Sequence, residues 1–453
     1  MRPRRMSDVA RAVEGRSVGE DVEVDSVATD SRSVAPGALF IALAGERTDG
    51  AAFVAEALAG GAVGALLAEG SQIDAPAVYV GSTGTALMRL AADERSQMDA
   101  TVIGITGANG KTSTKDLTAS VLATALRTHA SPASFNNEIG LPLTLLTAPA
   151  RTQVVVAEMG ARRKGDVAEL CAIARPDIVV VTNIGLAHIE IFGSWDAIVE
   201  ASAEPVEALG TDGVAVLLAD DPVVAGYRDR CPGRVVTFGR SESADVRATS
   251  VSLAADGCAS FAVVAGGETT QVHLSVPGEH MVTNALAAIA VGRESGVSAA
   301  DAAGALANAR VSRWRMETFT TPDGVRVVND AYNANPESVA AAIKAARWMA
   351  GSAHLIAVLG PMAELGSIAE VQHERIGELA ARVRVDRLIT VGAAAYPIAV
   401  AGLREGVEPD NVASYDQGED ALADVRAHAR PGDLVLFKAS RVAGLETLAE
   451  ALR

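Results

Sequence analysis

The sequence predicts an α/β protein of three domains. Uninterrupted aliphatic runs alternate with segments of helical periodicity, as in parallel strands that are buried on both faces of a sheet. A glycine-rich turn ending in Gly-Lys-Thr lies between one such run and a helical segment. The chain has 453 residues, and a prior of about 150 residues per domain favours three units. We place these units at residues 1–98, 99–309 and 310–453.

Composition narrows the class of protein. The 56 acidic and 39 basic residues give a formal net charge of -17, which argues against nucleic acid as a general partner. The three cysteines lie far apart, so they indicate neither a disulfide framework nor a zinc site. No apolar run approaches the roughly 20 residues needed to cross a bilayer, and the basic start lacks the apolar core of a secretory signal. We expect a soluble cytoplasmic protein without a membrane span.

The first unit is predicted to be a small α/β domain. Ser31 and Arg32 stand just before its Pro-Gly turn. The Arg32 guanidinium could hold a diphosphate through two hydrogen bonds. Taken alone, a surface ion pair beside a turn is the simpler interpretation. The predicted elements are short strands at 22–27, 39–43, 63–68 and 77–80 and a helix at 51–59.

The second unit begins with the glycine-rich turn at residues 104–115. Glycines let the backbone approach a triphosphate, and a helix N-terminus directs free amides and a positive dipole at it. Lys111 adds a mobile charge, and the Thr112 hydroxyl can bind Mg²⁺. The commonest spacing places glycine where Ile105 stands, whereas here the extra glycine is Gly107. An ordinary strand-to-helix turn is the alternative.

Polar residues follow the predicted parallel strands of this unit. Glu158 ends one strand, and His188 follows another within a turn. Because ligands bind at the carboxyl ends of such strands, both are candidate Mg²⁺ ligands beside a nucleotide. The alternatives are a helix-capping or ion-paired carboxylate and a hydrogen-bonded loop histidine. The predicted elements are strands at 154–157, 178–181 and 214–218, antiparallel strands within 245–276 and a helix that begins near His280 and carries Asn284.

From about residue 310 the α/β pattern restarts without a second phosphate loop. Asp330 and the amides that follow it precede a helix at Pro336, where a simple N-cap is the alternative. Arg315 could reach a γ-phosphate across a cleft. Two sheets flanking one phosphate loop indicate an enzyme that closes around an ATP-activated intermediate. The predicted strands flank a turn at 321–324 and continue at 355–359, 387–391 and 434–437.

Together these segments resemble the Mur ligase family over the whole chain. The phosphate loop marks the family, while Phe-Asn-Asn-Glu-Ile-Gly at 135–140 and Tyr-Asn-Ala-Asn-Pro at 332–336 are similar to the branch that adds D-alanyl-D-alanine. The resemblance implies an N-terminal UDP-substrate domain, a central ATPase and a C-terminal Rossmann-like domain. It implies that ATP phosphorylates the terminal carboxylate of UDP-N-acetylmuramoyl-tripeptide, and that the amine of D-alanyl-D-alanine attacks the acyl phosphate. We expect a monomer.

The resemblance also implies roles for individual residues. Lys111, Glu158, His188 and Arg315 would be catalytic, and Thr112, Glu158 and His188 would organise Mg²⁺. ATP would be bound by Gly107, Ala108, Asn109, Gly110, Lys111, Thr112, Ser113, Asn284, Arg315, Asp330 and Asn333, with Asn284 and Asn333 on the adenine side. The substrates would meet Ser31 and Arg32 at the UDP end, and Asn136, Asn137, Asn335, Lys438 and Arg441.

Two positions depart from the family. Ser202 stands where relatives carry a lysine that becomes carbamoylated and supports a second Mg²⁺. A serine cannot carry that group, so Glu200 or Glu204 substitutes, the metal is held differently, or activity is reduced. Pro361 stands where aspartate is common, which weakens the prediction of dipeptide contacts. A ligase with another amine acceptor, such as D-alanyl-D-lactate, and a non-catalytic nucleotide-binding protein are the alternative hypotheses.

Overall fold

The computed structural model describes residues 1–45, 48–71 and 73–453, and it confirms the predicted three-domain α/β fold. The N-terminal domain has a five-stranded sheet in the order β2-β7-β6-β5-β4, with β2 antiparallel to β7 and the other pairs parallel. A two-stranded ribbon, β1-β3, lies beside it. Its elements are β1 (Arg4–Arg5), α1 (Met6–Val13), β2 (Arg16–Val18), β3 (Glu23–Val24), β4 (Ser26–Ala28), β5 (Ala38–Ile41), α2 (Val54–Ala59), β6 (Gly64–Ala68), β7 (Ala77–Val80) and α3 (Thr83–Ser96).

The central domain has a nine-stranded sheet in the order β16-β15-β14-β13-β12-β11-β8-β10-β9. The strands from β9 to β14 are parallel, and β14, β15 and β16 form the predicted antiparallel edge. Its strands are β8 (Thr101–Thr106), β9 (Thr128–Ala130), β10 (Val154–Glu158), β11 (Ile178–Val181), β12 (Val214–Leu218), β13 (Arg234–Gly239), β14 (Val246–Leu253), β15 (Cys258–Ala265) and β16 (Glu268–Pro277). Its helices are α4 (Lys111–Leu122), α5 (Gly140–Thr147), α6 (Asp166–Ala174), α7 (Ile189–Phe192), α8 (Trp195–Glu207), α9 (Pro222–Gly226), α10 (Met281–Glu294) and α11 (Ala299–Leu306).

The C-terminal domain has a six-stranded sheet in the order β17-β18-β22-β19-β20-β21. Only β17 runs antiparallel to its neighbour, as the turn at 321–324 predicts. Its elements are β17 (Glu317–Thr320), β18 (Arg326–Asn329), α12 (Pro336–Ala350), β19 (Leu355–Leu359), α13 (Ala369–Arg382), β20 (Arg387–Val391), α14 (Tyr396–Arg404), β21 (Val412–Tyr415), α15 (Gly418–His428), β22 (Leu434–Lys438) and α16 (Leu445–Glu450).

Apolar packing joins the domains. One buried cluster runs from Ile103 in the central sheet to Leu436 in the C-terminal sheet. A second cluster joins Met6 and Leu39 of the N-terminal domain to Val155 of the central sheet. The phosphate loop at the end of β8 therefore stands on a scaffold that is continuous with both flanking domains. Within the described ranges, no helix combines the length and apolar character needed to span a membrane.

Candidate active site

The phosphate loop connects β8 to α4 and requires glycine at two positions. Gly107 has φ +131°, and a Cβ there would lie 2.2 Å from the Thr182 hydroxyl. Gly110 has φ +79°, and a Cβ there would lie 2.5 Å from the Asn284 side-chain oxygen. Left-handed backbone and these close approaches exclude other residues. The loop is thereby packed against the end of β11 on one side and against α10 on the other.

Lys111 begins α4 and folds back over the loop. Its ammonium donates to the carbonyls of Gly107 at 2.6 Å and Ala108 at 3.2 Å. Burial lowers the pKa of Lys111, while the Glu158 carboxylate opposes this shift and Arg315 adds to it. A cation over loop amides that open a helix forms an environment suited to phosphate. Lys111 therefore lies where the sequence places a phosphate-binding charge.

Thr112 and Glu158 meet at the base of this site. The Thr112 hydroxyl donates to one Glu158 carboxylate oxygen at 2.7 Å, and the Asn136 amide donates to the other at 2.8 Å. The carboxylate is buried at the end of β10. Among the described residues, its hydrogen-bond partners are a neutral hydroxyl and a neutral amide, not a helix terminus or a cation. This oxygen-rich donor set fits Mg²⁺, which is commonly held by one or two carboxylates together with phosphate oxygens.

Arg315 reaches this cluster from the start of the C-terminal domain. Its guanidinium donates to the Ser134 hydroxyl at 3.0 Å, and that hydroxyl lies 3.1 Å from the Thr112 hydroxyl. The Tyr332 ring supports the guanidinium face at 4.3 Å, a favourable cation–π contact. The Arg315 Nε is buried without a partner among the described residues. Sequence reasoning missed Ser134, whose only signal is a hydroxyl beside the asparagine-rich loop.

His188 lies at a second contact between the central and C-terminal domains. Its backbone is left-handed, with φ +60°, and its Nδ1 meets the carboxylate of Glu364. Burial lowers the pKa of His188, while the hydrogen bond and charge of Glu364 oppose that shift. The hydrogen-bonded histidine of the alternative reading is therefore present. Glu364 was not predicted, although it follows Pro361 by three residues.

Asn335 brings another part of the C-terminal domain to the loop. Its side chain caps α12 by accepting from Ser338 N at 2.9 Å, so the N-cap that the sequence offered as the alternative for this segment is present. The same side chain donates to the Asn109 side-chain oxygen at 2.7 Å. Asn109 is also held within its own domain, because its backbone amide donates to the Asn183 side-chain oxygen at 2.8 Å. Asn335 thus combines a local capping role with a contact across the two domains.

The remaining nucleotide candidates and the substrate candidate Lys438 lie around this centre. Asn284 is buried beside Gly110. Lys438 is buried in an ion pair with Asp330 at 2.8 Å, and its ammonium also donates to the Asn333 carbonyl at 2.7 Å. Asp330 accepts from Met316 N at 2.9 Å, next to Arg315. Lys438 therefore fixes the 330–333 segment, with its charge already paired.

The other substrate candidates have local partners. Arg32 is exposed and pairs with Asp30 at 2.6 Å, and Ser31 donates to Glu56 at 2.8 Å. These are the contacts of the surface ion-pair interpretation. The Asn137 side chain accepts from Gly140 N at 2.9 Å at the start of α5. Arg441 pairs with Glu446 at 2.9 Å and lies over the Trp314 ring at 4.2 Å.

Both carboxylates proposed to compensate for Ser202 have partners elsewhere. Glu204 is buried and accepts from Gly165 N at 2.6 Å and Ala168 N at 3.0 Å at the start of α6. Glu200 pairs with Arg230 at 3.1 Å. The Tyr227 phenol beside Ser202 donates to Val199 O at 2.8 Å. Direct substitution by Glu200 or Glu204 would therefore first require these contacts to break.

The fold and site define a class of protein: a three-domain, phosphate-loop nucleotide-binding protein with C-terminal side chains over the loop. Three protein-family models match the chain. The model described as "Mur ligase family, catalytic domain" matches residues 23–105, "Mur ligase middle domain" matches 105–292, and "Mur ligase, glutamate ligase domain" matches 314–441. The chain belongs to the Mur ligase family.

Individual relatives match over nearly their whole lengths. The UDP-N-acetylmuramoyl-tripeptide--D-alanyl-D-alanine ligase of Mycobacterium bovis is 43% identical, over 94% of this chain and 92% of that protein. Crystal structure I of MurF from Acinetobacter baumannii has a TM-score of 0.88 and 30% identity, covering 99% of this chain and 98% of that one. The MurF ligase of Thermotoga maritima in complex with ADP has a TM-score of 0.81 and 30% identity, covering 94% and 96%.

Proposed function

We propose that this chain is an ATP-dependent ligase that adds D-alanyl-D-alanine to UDP-N-acetylmuramoyl-tripeptide in peptidoglycan precursor synthesis. The observation that carries the proposal is the hydrogen bond from Arg315 to the Ser134 hydroxyl, which in turn lies 3.1 Å from the Thr112 hydroxyl at the phosphate loop. A guanidinium from a second domain can stabilise charge on a transferring phosphoryl group. Whole-length similarity to ligases named for this reaction supplies the identity of the substrates.

The chain's own residues account for phosphoryl transfer. The loop amides and Lys111 would bind the ATP phosphates, and Arg315 would stabilise the γ-phosphoryl group as the tripeptide carboxylate attacks phosphorus. The bond to ADP then breaks, leaving an acyl phosphate. The amine of D-alanyl-D-alanine attacks the acyl carbon, which forms the amide and releases inorganic phosphate with the amine's proton. The contacts of Asn335 and Glu364 with the central domain would help to exclude water.

The residues that would hold Mg²⁺ are Thr112, Glu158 and His188. The buried Glu158 carboxylate and the Thr112 hydroxyl supply oxygen ligands of the type that Mg²⁺ prefers. When bound, Mg²⁺ would neutralise charge on the β- and γ-phosphate oxygens. Among the described residues there is no group of three or more histidine, cysteine or acidic side chains able to hold a metal, so substrate oxygens would complete the site.

We also propose where the substrates lie and how the enzyme acts. The N-terminal domain, with Ser31 and Arg32, would take the UDP end after Arg32 releases Asp30. Asn136 and Asn137 would face the muramoyl peptide, and Arg441 the incoming dipeptide. The chain would act as a monomer, since the Arg315, Asn335 and Glu364 contacts that assemble the site lie within one chain. Because the proposed reaction consumes ATP and a nucleotide-linked substrate, we propose that it takes place in the cytoplasm.

The test is phosphate release with each substrate omitted in turn, together with the mass of the product. We expect turnover to require ATP, UDP-N-acetylmuramoyl-tripeptide and D-alanyl-D-alanine. Lys111→Ala should abolish pentapeptide formation, whereas Lys164→Ala, which changes an exposed lysine, should preserve it. Turnover that needs neither the amine nor the nucleotide-linked peptide would overturn the proposal. Faster ligation of D-alanyl-D-lactate would favour the alternative acceptor, and nucleotide binding without product would favour a non-catalytic protein.

A further inference from the structure

We propose that Lys115 and Asp116, adjacent residues of the phosphate helix α4, are positioning residues that fix Arg315 against Ser134 and Thr112. The inference rests on the proposed function, because it concerns how that same site is assembled. Lys115 is buried, although lysine is rarely buried without a specific partner. Its ammonium pairs with the Asp116 carboxylate at 2.8 Å. Neither residue belongs to the predicted phosphate or metal contacts.

Lys115 organises the loop that carries Ser134. Its ammonium donates to the carbonyls of Ser131 at 2.7 Å and Ala133 at 2.8 Å. Ala133 has φ +44°, a left-handed conformation that costs energy for a residue with a side chain and persists only when its surroundings hold it. The next residue is Ser134, which touches both Thr112 and Arg315. The buried ammonium therefore stabilises the loop at the position where the serine hydroxyl must be placed.

Asp116 organises the segment that carries Arg315. Its second carboxylate oxygen accepts from Ser312 N at 2.7 Å and from the Ser312 hydroxyl at 2.8 Å. Ser312 lies in the connection between α11 and β17, three residues before Arg315. Trp314 and Met316, on either side of Arg315, have φ +61° and +51°. Two left-handed residues around one arginine require anchors, and Asp116 supplies the anchor from the phosphate helix.

The Lys115–Asp116 ion pair joins two series of contacts, or arms. One arm runs through Ala133 to Ser134, and the other runs through Ser312 to Arg315. The arms meet where the Arg315 guanidinium donates to Ser134 at 3.0 Å. A shift of α4 would therefore move both partners of this contact together. Both arms end at the contact between Arg315 and Ser134, so Asp116 acts on the nucleotide chiefly through the position of Arg315, which gives a specific signature in kinetics.

The experiment is a double-mutant cycle between Asp116→Ala and Arg315→Ala in the full-length enzyme. If Asp116 acts through Arg315, the two losses should not multiply. We expect Asp116→Ala to lower kcat about tenfold or more, as expected for a misplaced catalytic group, with less than a threefold change in KM for ATP. In the Arg315→Ala background the same change should cost less than twofold. Losses that multiply in the double variant would overturn the inference.

Asp245→Ala is the matched control. Like Asp116, Asp245 accepts from both the backbone amide and the hydroxyl of one residue, here Thr237, at 2.8 Å and 2.7 Å. Asp245 directly precedes β14 and Thr237 lies in β13, outside the proposed site. We expect Asp245→Ala to lower the melting temperature without changing kcat of the folded enzyme. The same behaviour in Asp116→Ala would show a purely structural role and overturn the inference.

Two further measurements keep the test decisive. If Asp116→Ala does not fold, Ser312→Ala removes only one hydroxyl, and its smaller loss should also disappear in the Arg315→Ala background. Calorimetric binding of ADP and of a non-hydrolysable ATP analogue requires no ligation. Asp116→Ala and Arg315→Ala should each reduce the ratio of the affinity for the ATP analogue to the affinity for ADP. In the double variant, the two reductions should not multiply. If the wild-type protein is inactive but the variants show these affinity ratios, only the proposed reaction is refuted. If Asp116→Ala leaves the ratio of ATP-analogue to ADP affinity unchanged, the positioning inference is refuted.

Discussion

At the scale of single residues, Glu158 is the side chain on which the charge balance of the proposed metal site depends. It is a buried carboxylate whose hydrogen-bond partners in the described part of the chain, the Thr112 hydroxyl and the Asn136 amide, are both neutral. Burying a negative charge is costly unless a cation compensates for it. A divalent metal beside ATP phosphates would supply that compensation. The nearby Lys111 charge contributes to the same balance, since Glu158 opposes the burial shift of the Lys111 pKa.

Glu158→Gln tests this balance. We expect kcat to fall by about 100-fold or more, the scale seen when one preorganised electrostatic partner is removed, because a neutral amide cannot hold a divalent cation as a carboxylate does. The melting temperature should stay unchanged or rise, since the buried negative charge disappears. Phosphate release over a Mg²⁺ titration and calorimetry measure the two effects. Glu378→Gln, on the surface beside Arg382, is the control, and full activity of Glu158→Gln would contradict the prediction.

At the scale of elements, the backbone conformation of the phosphate loop explains why its glycine motif can be predicted from the sequence. Gly107 has φ +131°, and the position of a Cβ is blocked by Thr182 and Asn183. Gly107→Ala should therefore lower the free energy of unfolding by about 1–3 kcal/mol through strain and should reduce nucleotide affinity. Gly304, within α11, has open space around the same position. Gly304→Ala should stabilise the protein by about 0.5–1 kcal/mol. Denaturant unfolding of both variants checks the opposite signs.

The segment between β19 and α13 carries Glu364 and depends on a neutral histidine. The His373 Nε2 accepts from Met362 N at 2.9 Å, and its Nδ1 meets the Ala369 carbonyl at 2.7 Å. Burial lowers the pKa of His373, against the opposing effect of the Ala369 carbonyl. The folded protein therefore binds fewer protons at this site than the unfolded chain. The resulting stabilisation is complete above about pH 6.5 and is lost as the pH falls through the lowered pKa.

His373→Gln should flatten this part of the pH dependence. Between pH 7 and pH 5 we expect the wild-type protein to lose more stability than the variant, by about 1.4 kcal/mol for each unit by which the pKa is lowered. Denaturant unfolding at several pH values measures the difference. His354→Gln, which changes an exposed histidine, is the control and should keep the wild-type slope. Parallel slopes for His373→Gln and wild type would contradict the prediction.

At the scale of the whole molecule, the C-terminal domain completes the site through separate contacts on the central domain. Asn335 meets Asn109, Glu364 meets His188, and Arg315 meets Ser134. The Glu337 carboxylate also approaches Leu186 N at 3.4 Å. Each of these contacts joins the C-terminal domain to the central domain. Movement of the C-terminal domain would therefore change several groups around the nucleotide at once.

Asn335→Ala and Ser298→Ala separate capping from this domain contact. Both residues cap a helix, since Ser298 accepts from Asp301 N at 3.1 Å at the start of α11. Each variant should lose about 1 kcal/mol of stability. Only Asn335→Ala should also weaken nucleotide binding, because only Asn335 reaches Asn109 of the phosphate loop. Unfolding curves and ADP titrations measure the two effects, and equal ADP affinity for both variants would contradict the proposed domain contact.

The sequence alone determined the features that depend on near neighbours. Aliphatic runs specified buried strands such as β10, β11 and β19, and the Gly-Lys-Thr turn specified the join between β8 and α4, because these patterns act over a few residues. The N-cap at the start of α12 was open to sequence reasoning as an alternative for the same reason. The positions of the boundaries at 98/99 and 309/310 remain predictions, since apolar clusters run across both junctions.

Only the tertiary structure decided which distant groups meet. Asn109 and Asn335 are 226 positions apart in the chain, and His188 and Glu364 are 176 apart. Neither periodicity nor turn chemistry encodes such pairs, which depend on how two domain surfaces pack. The same limit hid Ser134 and the link from Lys115 through Asp116 to Ser312. Local sequence thus determined the conformation of the phosphate loop, and packing between domains determined which distant residues surround it.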